Sequence, residues 1–419
     1  MKILVVGKGG REHAFVTALH ESPGEHELYS FPGSDAICEI AEKVETGDGL
    51  DDLIGFIQER EIDLCVAGEE SYLVKERGLA NACEEIGVPC WGPVREAAQL
   101  EASKEFAKEF MFKHRVPTGG YAAVETMEAA WEAIGGKYPT VLKFDGLAAG
   151  KGVAICEDKV SAEVFLDEVF EEKRFGEGKV LVEEYLSGPE VSIFCSVVDG
   201  AYQILTPARD YKRIGDNDEG PNTGGMGAVA SRALVDPVLM EEIEDTIVKP
   251  TVDGLGKDGL KYRGFLYFGL MLTRGGPKML EYNCRFGDPE AQAVMPLIRG
   301  DFATYVFEGA SGRLRSDLIS FDEGWSVCLI LASAGYPLSA RNGDVIRGLH
   351  EVAGARVYHA GTKRNELGEY ETNGGRVLAV VHQGETRVEA VDKTYWEAGK
   401  VDFDGCQRRS DVGRLHFEL

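Results

Sequence analysis

The chain has 419 residues, 44% of them hydrophobic, which is enough to bury large cores and suggests about two to four domains rather than one. With 71 acidic and 45 basic residues the formal net charge is −26, which argues against a general surface for nucleic acid or anionic membrane. Any site for a phosphorylated ligand must therefore gather its positive charge locally.

From the N-terminus to about residue 92, short apolar runs alternate with helical patterns: KILVVG, a helix over Glu12–His20, ELYSF, a helix over Leu50–Glu59, DLCVAG, and a helix over Leu73–Ile86. That alternation predicts a parallel sheet with helices on both faces. The next helix is predicted to open at Gly92 and Pro93 and to run toward His114, before the stop at Val116 and Pro117. On it Lys104 falls in line with Leu100, Ala107 and Met111, so it is either a candidate ligand or a snorkelling side chain.

Beyond Pro139 the pattern becomes strand-rich. TVLKF and GVAIC flank a glycine-rich turn, a helix follows near Ser161–Glu172, and KVLVEEYL, EVSIFCSVVDG and AYQILTPA come next, with Asp199 and Gly200 marking a hairpin. A helix near Val238–Leu255 precedes the strands GFLYFGLML and PKMLEYNC. The last hundred or so residues carry SVCLILASAGYP, ARVYHAGT and GRVLAVVHQG, which predict a small mixed domain. Nine cysteines, scattered singly with no CxxC pair, fit a reducing cytoplasm. Neither a signal peptide nor an apolar run of about 18 residues points to a membrane.

Four segments carry chemistry. In LKFDGLAAGKGV the glycines Gly146, Gly150 and Gly152 would let backbone amides approach a phosphate, with Lys143 and Lys151 supplying charge. The spacing is not that of a P-loop, which needs four residues between its glycines and a Ser or Thr after the lysine. A flap between two strands is the expectation, and a ligand-free hairpin the competing reading. GKGGREHA, residues 7 to 14, resembles a dinucleotide fingerprint but has Glu12 where the third glycine belongs. An anion at this helix N-terminus, helped by Gly9, Gly10 and Arg11, competes with a turn needed only for packing.

In LEYNCRFGDPE, Glu281 and Asn283 are two apart on a strand and share a face, which suits a magnesium site whose other ligands come from a triphosphate; a merely solvated face is the alternative. RIGDNDEGPNTGGMGA departs from a calcium loop at Gly220 and Pro221. Its glycines predict a close backbone approach to a ligand edged by Asp210, Lys212, Asn222 and Thr223.

Together with VEEYLSGPEVS, GFLYFGLM, HAGTK and NGGRVL, these segments stand in the order of the glycinamide ribonucleotide synthetases, a family of the ATP-grasp superfamily that the chain resembles over nearly its whole length. The resemblance implies an α/β (α+β) ATP-grasp fold. Its parts would be a Rossmann-like parallel-sheet domain at 1–100, an ATP-grasp domain at 101–320 with a lid at about 118–188, and a small C-terminal domain at 321–419. The implied reaction joins glycine to 5-phosphoribosylamine, with ATP giving ADP and phosphate, in purine synthesis.

Carried over by resemblance, Lys104, Lys143 and the flap through Gly146, Gly150, Lys151 and Gly152 contact the ATP phosphates. Glu184 and Leu186 form the adenine strand, Glu190 meets the ribose, and Glu281 and Asn283 hold Mg2+ or Mn2+. Gly9, Gly10 and Arg11 hold the ribosyl phosphate. Asp210, Lys212, Asn222, Thr223, Gly224, Gly225, Arg285 and Asp288 serve the amine, the glycine and the developing charge. A cytoplasmic monomer with small-molecule substrates alone is expected. Glu69 and Tyr72 stand where the family pattern has prolines, and Phe144 where it has a small residue.

Overall fold

The computed structural model describes residues 1–146 and 152–414. Gly150 and Lys151 of the expected flap lie outside the described residues. The chain opens with β1 (Lys2–Gly7), α1 (Gly10–His20), β2 (Glu27–Pro32), β3 (Glu42–Lys43), α2 (Leu50–Glu59), β4 (Leu64–Ala67), α3 (Ser71–Val74), α4 (Leu79–Glu85) and β5 (Cys90–Trp91). The five strands pair in parallel in the order β3-β2-β1-β4-β5. Apolar β1 is buried on both faces because helices cover the sheet on each side.

Two predicted helices prove to be broken. Between α3 and α4, Gly78 adopts φ +84, so the segment expected to be helical over Leu73–Ile86 turns there, in a conformation that favours glycine. The helix expected from Gly92 to His114 becomes α5 (Gln99–Ala102) and α6 (Lys104–His114). Ser103 between them is extended, and its hydroxyl accepts from the Phe106 N–H at 3.1 Å. A serine that caps the next helix stops the previous one. The cap is doubled from across the chain: the Asp145 carboxylate accepts from the Lys104 N–H at 2.6 Å.

A small four-stranded sheet follows, built from β6 (Tyr121–Val124), β7 (Thr140–Phe144), β8 (Val153–Cys156) and β9 (Val180–Glu184) in the order β6-β9-β7-β8. With α7 (Met127–Ile134) and α8 (Lys159–Phe170) it encloses its own core of Val124, Leu142, Phe144, Phe165 and Val182. Phe144, the departure noted above, is buried there against Phe175, ring centroids 5.4 Å apart.

The large sheet takes β10 (Glu190–Val198), β11 (Ala201–Ile204), β12 (Ala208–Asp210), β13 (Gly227–Ala230), β14 (Arg263–Thr273) and β15 (Gly276–Asn283). The helix expected at Val238–Leu255 is present as α9 (Pro237–Ile243) and α10 (Lys249–Lys257), joined by one wider turn over Glu244–Val248. Pro250 has no N–H for the carbonyl four residues back, which explains the slip in the ladder. After α11 (Glu290–Val294) come β16 (Ile298–Gly300), α12 (Phe302–Ala310), β17 (Ile319–Phe321), β18 (Trp325–Ala332), β19 (Arg356–His359), β20 (Thr362–Arg364), β21 (Tyr370–Thr372), β22 (Arg376–Gly384) and α13 (Arg387–Ala398).

Of the C-terminal strands, β20 and β21 pair with each other in a sheet of two, but β18, β22 and β19 do not make a separate sheet. They extend the large one in the order β15-β14-β10-β12-β13-β18-β22-β19, with β11 paired to β10. The mixed domain expected at the end of the chain is thus hydrogen-bonded to the centre through β13 and β18. One core cluster joins Leu4 and Val6 of the first sheet to Ile193 and Phe268 of the large one. No helix among the described residues is long and apolar enough to cross a membrane.

Candidate active site

The small sheet meets the large one through lysines. Lys143 on β7 donates to the Leu280 carbonyl on β15 at 3.1 Å, and Lys104 at the start of α6 donates to the Gly146 carbonyl at 2.8 Å. Behind them Glu183 forms ion pairs with both Lys108 (2.8 Å) and Lys143 (3.1 Å), all three side chains nearly sealed from water. Glu183 was not singled out in VEEYL, although strand periodicity could have found it. Lys143 lies opposite Leu181, and residues two apart share a face, so Glu183 falls beside Lys143. Glu184 points the other way, its carboxylate accepting from the Gly120 N–H at 3.1 Å. Leu186 is buried just beyond it.

Glu281 and Asn283 pair with Gly269 and Tyr267 of β14 and share one face of β15, as their spacing predicts. Burial would raise the Glu281 carboxyl, but Lys212, Lys143, Lys104 and Arg285 outweigh it and hold the group below the usual carboxylate range. Lysines from α6, the small sheet and the loop after β12 therefore converge on one carboxylate. Burial pushes the Lys104 ammonium down, Glu281 opposing. Lys212 is driven the other way: Glu190, whose carboxylate accepts from it at 2.7 Å, overcomes burial and raises it well above the usual lysine value.

The glycine-rich loop is held from three sides. Thr223 Oγ1 donates to the Lys212 carbonyl (2.8 Å) and accepts from the Gly225 N–H (2.9 Å). Gly225 has φ +110, and a Cβ there would stand 2.6 Å from Asp210 Oδ1 and 2.4 Å from Pro289, so only glycine fits. Asn222 bridges back to Arg213. The Gly224 N–H donates to the Tyr336 hydroxyl at 2.9 Å, while Arg376 of β22 donates to the Gly224 carbonyl and to the Asp288 carbonyl. Arg376 also pairs with the Asp288 carboxylate at 3.2 Å. Asp288 is held low despite burial, chiefly by Arg376 and then Arg11. Sequence reasoning gave Arg376 and Tyr336 no role, because only the pairing of β22 with β18 brings them to the loop.

Asp210 and Glu290 form a second acidic pair. Burial raises Asp210 well above the carboxylate range, with the charge of Glu290 adding to the effect, and burial raises Glu290 as well. Ser192 donates to Glu290 at 3.2 Å, whereas Asp210 Oδ1 is buried with no hydrogen-bond partner among the described residues.

The N-terminal turn is arranged differently. Arg11 is buried, donating to Glu12 at 2.6 Å and to the Phe286 carbonyl at 3.3 Å, with Glu70 at 3.7 Å. The Gly9 N–H donates to Glu12 Oε2 at 2.7 Å. The amides of Gly10 and Arg11 lie in the first helical turn and have no acceptor within the helix. Arg285 bridges Glu70 (3.2 Å) and Glu101 (2.8 Å). Burial works against ionisation of Glu70, but Arg285 and then Arg11 hold it at about 2. Burial pushes Glu101 up to about 7 even against Arg285. Beside this network Glu69 accepts from Ser71 at 2.9 Å, and Tyr72 packs edge-on against Phe31.

A small sheet set against a larger one is the fold of the ATP-grasp class, and the profile of an ATP-grasp domain matches this part of the chain. Biotin carboxylase domains share the fold. That of the Hydrogenobacter thermophilus 2-oxoglutarate carboxylase superposes with a TM-score of 0.73 over 97% of this chain and 91% of its own, at 20% identity, a likeness of fold alone. Within the class, three family profiles match in succession: the phosphoribosylglycinamide synthetase N domain over residues 1–101, its ATP-grasp (A) domain over 102–291 and its C domain over 326–415. The chain belongs to the phosphoribosylglycinamide synthetase family. It is 42% identical to a phosphoribosylamine–glycine ligase of Caldanaerobacter subterraneus over 416 residues, 98% of this chain and 99% of the relative. It is 38% identical to that of Escherichia coli K12 over 423 residues, 99% of this chain and 98% of the relative. The crystal structure of the Thermotoga maritima phosphoribosylamine–glycine ligase superposes with a TM-score of 0.84 at 34% identity, covering 98% of this chain and all of that one.

Proposed function

We propose that this chain is an ATP-dependent carbon–nitrogen ligase that joins glycine to 5-phosphoribosylamine, giving glycinamide ribonucleotide, ADP and phosphate in purine biosynthesis. The observation that carries the reading is the convergence of Lys104, Lys143 and Lys212 on Glu281, beside which the Asn283 side chain makes no hydrogen bond to the described residues. Full-length relatives named for the same ligase support it.

A carboxylate resists attack by an amine because its charge repels the nucleophile and oxide is a poor leaving group. Transfer of the γ-phosphoryl group from ATP to a glycine carboxylate oxygen removes both obstacles. The ribosylamine nitrogen then attacks the glycyl carbonyl, the amide bond forms, and phosphate departs with that oxygen. Such a transfer asks the protein for alignment and charge neutralisation rather than a nucleophile. Lys104 and Lys143 face the phosphates, with Gly146, Gly150, Lys151 and Gly152 as the flap that excludes water from the labile acyl phosphate. The backbone of Glu184 and Leu186 receives the adenine, and Glu190, fixed by Lys212, the ribose.

The donor set on β15 suits a hard divalent cation. An ionised carboxylate and an amide oxygen share one face beside the phosphate-facing lysines. Glu281 and Asn283 would hold Mg2+ or Mn2+, which neutralises phosphate charge when bound. Asp210 accepts the proton that the amine nitrogen loses, its unpartnered Oδ1 being directed toward Gly225. The loop from Asn222 through Gly225, with Asp288, positions glycine and the amine. The first-turn amides at Gly10 and Arg11, following Gly9, receive the ribosyl phosphate, and behind them Arg285 is held by Glu70 and Glu101. All nine cysteines are free, which suits a reducing cytoplasm, where the chain would act as a monomer.

The test is ADP release with each substrate omitted in turn. Release that requires ATP, glycine and ribosylamine together is expected. Release that proceeds without glycine, or with bicarbonate in its place, would assign the chain to another ATP-grasp activity.

A further inference from the structure

Outside the cleft, one cluster of reactive side chains has no part in the reaction above. Cys65 on β4, Cys83 on α4 and Cys90 on β5 are all buried, and their Sγ atoms lie within 4.8 Å of one another. The fold brings them together, since in sequence they are too far apart to suggest a site. Cys65 and Cys90 are register partners on neighbouring parallel strands, which puts their side chains on the same face, and α4 lays Cys83 over that face. Buried cysteines are commonly small core residues, but a core residue has no need for two other sulfurs within reach of its own.

We propose that Cys65, Cys83 and Cys90 form a trigonal, all-sulfur site for a soft monovalent metal ion, Cu(I). A metal–thiolate bond of about 2.3 Å, the zinc–sulfur length, sets sulfurs about 4 Å apart around a trigonal centre, so closing the cluster on an ion requires contraction of less than an ångström. Thiolate ligands select soft ions. The group contains no fourth cysteine, histidine or carboxylate among the described residues, whereas structural zinc closes a shell of four. Cys90 also lines a cavity of about 320 Å³ bordered by Glu84, Pro89, Lys261 and Arg263. Each sulfur that binds as thiolate releases its proton to water, and copper enters and stays as Cu(I), so no oxidant is required.

The experiment uses the full, reduced chain under anaerobic conditions, titrated with Cu(I) supplied as its bicinchoninate complex. One Cu(I) per chain should transfer from the chelator, and X-ray absorption of the loaded wild-type protein should show a shell of three sulfurs. That spectrum does not depend on the folding of any variant. Transfer should be lost in the double variant Cys65→Ser, Cys90→Ser and kept in Cys38→Ser and Cys406→Ser. Copper left on the chelator by the wild type overturns the proposal, as does a shell containing nitrogen or oxygen, or binding that survives the double variant. A four-coordinate Zn(II) complex that outcompetes copper at the same cysteines would overturn the choice of ion.

Discussion

Two regions of the molecule are rich in buried charge, and they handle it in opposite ways. At the N-terminal turn, Arg11 and Arg285 meet Glu12, Glu70 and Glu101 in direct pairs between 2.6 and 3.7 Å, so the charges cancel within the protein. On β15, Glu281 is surrounded by lysines at the range of electrostatics but has no direct ion pair among the described residues, and the Asn283 side chain beside it has no hydrogen bond to them either. The difference separates groups that hold the fold from groups that wait for a ligand. It also bears on Arg285, which the sequence placed among the catalytic residues and the structure joins to two carboxylates from the first hundred or so residues.

The comparison can be broken most directly at Glu281. Glu281→Ala is expected to lower kcat a thousandfold or more, roughly 4 kcal/mol or above, while costing less stability than any change at Arg285; steady-state ADP release at saturating magnesium reads the first and urea denaturation the second. Near-normal turnover would remove the metal assignment. Arg285→Ala leaves Glu101 and Glu70 buried without their partner and should destabilise the chain by about 3 kcal/mol, seen as a lower urea midpoint. An Arg285→Ala protein of wild-type stability with no activity would reverse the division drawn above.

A third test concerns the contact between α1 and the C-terminal strands. His13 Nδ1 accepts from the His359 N–H at 2.9 Å, and burial lowers the two imidazoles to about 4 and about 3. Both depressed values lie below the ordinary 6.5, so the unfolded chain takes up protons first as pH falls. This contribution is fully present above 6.5 and is lost progressively toward pH 4. Between pH 6.5 and 5 each histidine should cost on the order of 2 kcal/mol, and in His13→Asn the pH slope of the urea midpoint should be shallower. The smallest effect expected is that of Thr223→Val, about 1 kcal/mol, since it removes the two bonds that tie Lys212 to Gly225.

What the sequence made legible follows from distance along the chain. The strand pair β14–β15, the hairpin at Asp199 and Gly200, and the shared face of Glu281 and Asn283 all arise from local period and turn chemistry. The break at Ser103 was hidden because its cap completes a bond with Asp145, more than forty residues away. Arg376 and Tyr336 at the glycine loop and the union of the C-terminal strands with the large sheet were hidden for the same reason: each depends on pairing through β18. Phe144 looked like a departure within the flap, yet it lies in the core of the small sheet, where its ring faces Phe175.

The central claim is that glycine is activated by phosphorylation of its own carboxylate, and oxygen transfer tests it most directly. With glycine carrying 18O in both carboxylate oxygens, and ATP and ribosylamine unlabelled, mass spectrometry of the released phosphate should find one 18O per phosphate, matched to amide formed. Unlabelled phosphate released along with the same amide would contradict the account.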